Sequence, residues 1–134
     1  ALPICIRIFA GLDTLEYLQK GGRLSKTAAG IGTLARVKPV VTVSRQGAVQ
    51  VAGKCLGKGK AMSQIVSLAE QTPPDLRYPF YGIYSSSRDN LDELRQKLGK
   101  NGIEIPDEMC FGIGPVIGAH IGPGAYGVVY VAKE

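Results

Sequence analysis

Apolar residues recur along this chain with two periods, and the period changes at glycines and prolines. Residues 3–9 (PICIRIF) alternate and are rich in isoleucine, the pattern of a half-buried strand. Gly11 breaks the run. Asp13, with Glu16 three residues on, forms a capping box, so a helix starts there with Leu12, Leu15, Tyr17 and Leu18 on its apolar side. Gly21 and Gly22 end it. Ser25 caps a second helix to about residue 35, with Ala28, Ile31, Leu34 and Ala35 facing inward; Gly30 and Gly32 weaken it.

Residues 37–44 (VKPVVTVS) are a β-branched strand, with Pro39 near its start or on an edge. Arg45, Gln46 and Gly47 turn the chain, and residues 48–55 return as the second strand of a hairpin. Residues 60–71 place Met62, Ile65, Val66, Leu68 and Ala69 at helical spacing, and the Thr72-Pro73-Pro74-Asp75 run stops them. Residues 78–85 read as an aromatic strand. Ser87 or Asp89 caps a helix over 90–98, whose buried stripe is Leu91, Leu94 and Leu98. Residues 108–113 and 125–132 supply a fifth and a sixth strand. The pattern predicts an α+β fold with about six strands in one mostly antiparallel or mixed sheet, and helices packed on it. The 134 residues are expected to form a single domain over 1–134.

Composition narrows the function classes. Hydrophobic residues make up 45% and charged residues 20%, ordinary for a globular domain and wrong for a disordered tail. No run predicts a 20-residue apolar helix, so no transmembrane segment is expected. No signal peptide opens the chain, and it begins at Ala1, which leaves room for an upstream part. Cys5, Cys55 and Cys110 have no paired spacing; they read as small buried hydrophobes in a reducing cytoplasm. His120 is the only histidine, which excludes a multi-histidine metal site, and neither a metal nor a cofactor is expected.

The charge is uneven. Residues 1–60 hold ten Lys/Arg and two acids, a balance of +8, whereas residues 61–134 hold six and nine, a balance of −3. Such asymmetry predicts a basic face that meets something anionic. Lys54, Lys58 and Lys60, with Gly57 and Gly59, form a basic turn before a helix that either meets phosphate or is a flexible polar loop.

The singular segment is 112–127, GIGPVIGAHIGPGAYG, with six glycines and two prolines in sixteen residues. Glycine is used where a chain turns left-handed or approaches something closely. Successive backbone N–H groups in such a loop can cradle an anion, and the lone histidine sits in its middle. The spacing matches neither the dinucleotide nor the P-loop pattern. An anion or carboxylate site and a structural glycine turn carrying an exposed histidine both fit. The Ser85-Ser86-Ser87 run has no local base and does not read as a nucleophile. Asp92 and Glu93 read as helix-dipole complements.

Three stretches together resemble one family. Residues 15–25, LEYLQKGGRLS, are similar to the Leu-x-Tyr-Leu-x-x-Gly-Gly-Arg signature of the DegV family. Residues 34–40, LARVKPV, resemble its Leu-Asn-Ile-Lys-Pro segment, and residues 113–127 resemble its terminal Gly-Pro-x-x-Gly-x-His-x-Gly-Pro-Gly-Ala-x-Gly motif. The resemblance covers the family's C-terminal domain only; the preceding α/β/α domain is absent from the chain. It implies binding of a long-chain fatty acid between the two domains. Members called FakB are acyl-carrying subunits of bacterial fatty-acid kinase, so it further implies a separate kinase subunit as partner and no catalytic residue in this chain. By motif, His120 lies beside the ligand carboxylate, flanked by Gly118 and Gly122. Gly122, Pro123, Gly124 and Ala125 form its supporting loop, and Arg23 lies near the carboxylate or on the kinase-facing surface. Arg23 is expected on the same surface as the His120 loop. Departures are Ala35 or Arg36 for the usual asparagine, Leu56 for an arginine, Ser85 for a histidine and Ile121 for a threonine. The alternative reading is a basic-surface module for nucleic acid or another anion, although the chain lacks a nucleic-acid motif and aromatics interleaved with its basic residues.

Overall fold

The computed structural model describes residues 6–20, 37–44, 46–114, 118 and 121–133. The expected second helix, Cys5, Arg23 and His120 lie outside these residues. The elements run β1 (Ile6–Gly11), α1 (Glu16–Lys20), β2 (Val37–Val43), β3 (Val49–Leu56), α2 (Lys58–Gln71), β4 (Tyr81–Tyr84), α3 (Asp89–Gly99), β5 (Cys110–Gly112) and β6 (Tyr126–Val131). The six strands form one sheet in the order β3-β2-β1-β6-β4-β5. Only β4 and β5 pair parallel; every other neighbouring pair is antiparallel. The expected α+β fold with a mixed, mostly antiparallel sheet is therefore observed.

Alternation along the central strands divides the apolar residues between two faces. Phe9, Val40, Tyr126, Val128 and Tyr130 pack with Met62 and Ile65 of α2 and with Leu91, Leu94 and Leu98 of α3. Phe80 stacks on Tyr130 at 4.8 Å. A second cluster joins Leu12, Leu15 and Leu18 to Val41 and Ala125, with Ala10, Val49, Val51 and Ile121 packed against it. Helices thus cover one face through α2 and α3, whereas α1 seats Leu18 in the other cluster beside Leu12 and Leu15 from the turn before it.

Several boundaries differ from the sequence pattern, each for a physical reason. Thr14, not Asp13, caps α1: its Oγ1 accepts from the Glu16 N–H at 3.2 Å, while the Asp13 carboxylate pairs with Lys38 at 2.9 Å. Pro39 sits near the start of β2 as expected, but on an interior strand and fully buried. Its carbonyl accepts from the Leu12 N–H at 3.0 Å, beyond the last β1–β2 pair, so its missing N–H removes no ladder bond. The aromatic strand is reduced to β4, because Pro79 cannot donate and the residues before it are tied elsewhere. Residues 107–109 form a 3₁₀ turn (Asp107–Met109) that shortens β5. Cys55 and Cys110 are half-buried rather than buried. They lie on β3 and β5, the two edge strands, where one side of the ladder is open. Burial pushes the Cys110 thiol pKa up, and its Sγ points at the Pro106 carbonyl, 3.6 Å away.

Candidate functional site

Two backbone hydrogen bonds tie the described glycines ahead of β6. The Gly118 N–H donates to the Gly114 carbonyl, and the Gly122 N–H to the Gly118 carbonyl, both at 2.8 Å. The chain then reverses through Gly122 and Gly124, with φ of +84° and +79°. Side-chain-bearing residues avoid that region. At Gly122 a second constraint applies, because a Cβ there would collide with the Tyr17 ring of α1.

Groups distant in sequence hold this turn. Ser85, one residue past β4, is only 4% exposed. Its Oγ donates to the Gly122 carbonyl at 2.6 Å and accepts from the Ala125 N–H at 2.9 Å. Its own N–H donates to the Ala125 carbonyl at 3.0 Å. Asn90, in the first turn of α3, donates Nδ2 to the Gly124 carbonyl at 2.9 Å and accepts from Lys58 Nζ at 3.0 Å. Lys58 also pairs with Glu93 at 3.2 Å. Loop groups that would otherwise be buried without partners are thereby satisfied from outside the loop.

Beside the turn opens a cleft whose mouth is lined by Tyr17, Ser85, Ser86, Ile113, Gly118, Gly122 and Pro123. Ile113 also borders a second space, a wholly apolar cavity of about 210 Å³ on the α1 side of the sheet. Ile8, Leu18, Val41, Val43 and Ile121 contribute to its wall. The two spaces share Ile113 in their walls, and the serines stand at the outer one. The Tyr126 hydroxyl, nearby at the start of β6, is buried without a hydrogen-bond partner among the described residues. Burial, with smaller contributions from Cys55 and Glu93, pushes its pKa well above the ordinary tyrosine value, so it stays protonated.

Of the residues expected from sequence, Gly118, Gly122 and Pro123 lie at the mouth. Ala125 lies in the cavity wall, and Gly124 faces Asn90 instead. Arg23 and His120 lie outside the described residues. Tyr17, Asn90 and Ile113 carry no sequence signal as site builders, and Ser85 stands out only in the serine run and as the residue in place of a family histidine. Among the described basic residues of the first half, Lys20, Lys38 and Lys58 each pair with a carboxylate. Among the described residues no group of three or more His, Cys, Asp or Glu side chains comes together as a metal site. No helix among them is long and apolar enough to cross a membrane.

The sequence model of the family described as "Uncharacterised protein, DegV family" matches residues 5–133. The chain belongs to the DegV family. A DegV domain-containing protein of Clostridium acetobutylicum is 31% identical over 129 residues, covering 96% of this chain and 45% of its own length. A fatty acid binding DegV family protein of Streptococcus agalactiae superposes with a TM-score of 0.81 at 30% identity, over 96% of this chain and 45% of that one. A DegV family protein of Thermus thermophilus, described for its fatty acid binding, gives 0.78 at 31% identity, over 96% and 46%. The chain thus spans a little under half the length of the DegV relatives it matches.

Proposed function

We propose that this DegV domain holds a long-chain fatty acid, with the tail in the apolar cavity and the carboxylate at the glycine loop. The observation that carries this reading is a wholly apolar cavity adjoining the cleft at the glycine loop, with Ile113 in the wall of both. Such a site suits an amphiphile. Each buried methylene contributes about 0.8 kcal/mol, so the tail supplies most of the affinity. A carboxylate buried without partners costs several kcal/mol, so the head belongs at the open mouth, where serine hydroxyls stand. A cavity of about 210 Å³ is smaller than the roughly 300–1,000 Å³ of common ligand pockets, so it takes part of a long tail. The two DegV structures described as fatty-acid-binding, each at least 30% identical, support the ligand class.

His120 and Arg23 are the residues we assign to the carboxylate, on the family motif. In the same reading the domain is a cytoplasmic acyl carrier without catalysis of its own. A separate kinase subunit phosphorylates the presented carboxylate, and an upstream domain closes the ligand from the other side.

Native mass spectrometry after bacterial expression tests the reading. A co-purified long-chain fatty acid is the expected result, and its loss from His120→Ala, by about 10- to 150-fold in affinity, assigns that side chain to the head group. Co-purified oligonucleotide instead of lipid overturns the reading in favour of the anionic-polymer alternative. Unchanged affinity in His120→Ala removes His120 from the site.

A further inference from the structure

The Ser85-Ser86-Ser87 run holds the one non-glycine residue with positive φ among the described residues. Ser86 has φ +66°. The Ser87 N–H donates to the Ser85 carbonyl at 2.9 Å, a bond spanning two residues. A three-residue turn with a positive central φ is the rare, strained form of γ-turn. Everywhere else among the described residues where φ is positive, the chain uses glycine, at positions 47, 57, 102, 122 and 124. At position 86 it keeps a side chain where glycine would remove the strain.

The neighbours on both sides are fixed. Ser85 is buried and bonded to both ends of the glycine turn. The Ser87 Oγ accepts from the Asp89 N–H at 3.2 Å, at the start of α3. Two of the three hydroxyls are thus committed to backbone, and strain at the residue between them is held from both ends. Ser86 itself is exposed and lines the mouth, together with Gly118, Gly122 and Pro123. Strained backbone of this kind persists where the surroundings over-determine it, and it clusters at binding sites.

We infer that the Ser86 hydroxyl donates a hydrogen bond to the ligand's carboxylate at this mouth, and that the strained turn holds it there. The inference rests on the fatty-acid reading above and adds a head-group contact from the turn after β4, beside the glycine loop.

The test compares the full chain with its Ser86→Ala and Ser86→Gly variants, each titrated with oleate and with oleyl alcohol, which shares the tail but lacks the carboxylate. The unaltered chain is expected to prefer oleate. Both variants are expected to lose oleate affinity by about 10- to 150-fold, the range of a hydrogen bond to a charged group, and to keep their affinity for oleyl alcohol. Ser86→Gly is expected to melt at a higher temperature than the unaltered chain even as it binds oleate worse, a pairing that a purely structural role would not give. Oleate binding that is unchanged in both variants overturns the Ser86 assignment and leaves the fatty-acid reading standing. Ser86→Gly that binds oleate normally beside a weakened, less stable Ser86→Ala also overturns it. Failure of the unaltered chain to bind either ligand overturns the fatty-acid reading and the assignment together.

Discussion

Ser85 carries more of the site's geometry than any glycine in it. One hydroxyl satisfies the carbonyl of Gly122 and the N–H of Ala125, three residues apart across the turn. Alanine at position 85 removes the partner of both groups at a site that is only 4% exposed. An unsatisfied buried polar group costs about 1–3 kcal/mol, so Ser85→Ala is expected to lower stability by at least that much in urea denaturation. The Ala125 amide should exchange with solvent faster in the same variant, a readout that needs no ligand. An unchanged denaturation midpoint with unchanged exchange would mean that the turn holds itself through Pro123 and the Tyr17 ring. Adjacent serines therefore have different tasks, and their order along the chain does not reveal which is which.

The connection between α2 and β4 shows how one element is fastened by another. The Asp75 N–H donates to the Val131 carbonyl at 2.7 Å, and the Lys133 N–H to the Pro73 carbonyl at 2.8 Å. Tyr130 of β6 reaches the Thr72 carbonyl at 2.8 Å. This connection is thereby stitched to the end of the central strand. Within it, the Asp75 carboxylate accepts from the Arg77 N–H, Nε and Nη2 at 2.7 to 3.2 Å. These bonds, the side-chain ones foremost, lower its pKa to about 2. A carboxyl depressed on folding stabilises the native state above its unfolded pKa, near 3.9, and that contribution is lost as pH falls toward 2. The Asp75 carboxyl is expected to titrate near pH 2 by NMR. Asp75→Asn should flatten the stability profile between about pH 4 and 2, and a titration midpoint near 4 would show that the clamp does not hold in solution. The exposed Arg77 end makes the effect sensitive to salt.

At the scale of the molecule the sheet separates two tasks. The face against α2 and α3 carries the larger core, with Leu91, Leu94 and Leu98 wholly buried. The apolar cavity lies on the other face, behind the glycine loop. Filling the cavity is therefore expected to stabilise the fold without rearranging the helical core. A ligand that binds only the native state adds about 2.7 kcal/mol at one hundred times its dissociation constant. Oleate is expected to raise the melting temperature in a concentration-dependent way while near-ultraviolet signals from the Phe80–Tyr130 stack stay constant. A melting temperature indifferent to oleate would place no ligand in the cavity.

Among the described residues, the sequence by itself determined most of the elements. The β2–β3 hairpin and the apolar stripes of α2 and α3 were legible because strand and helix periods are local properties, written over ten residues or so. The glycine segment was equally legible as a place where backbone must turn and approach something. Tertiary structure alone decided the rest. Nothing local orders the strands β3-β2-β1-β6-β4-β5 or makes β5, three residues long, parallel to β4. Nothing local brings Ser85 to Gly122, 37 residues on, or Asn90 to Gly124, 34 residues on. Asp13 looked like a cap until Lys38, distant in sequence, claimed its carboxylate and left the task to Thr14. The mouth and the cavity exist because residues of five strands, three connections and α1 converge on one end of the sheet. That convergence is set by closure of the whole chain around its core, which no window of the sequence records.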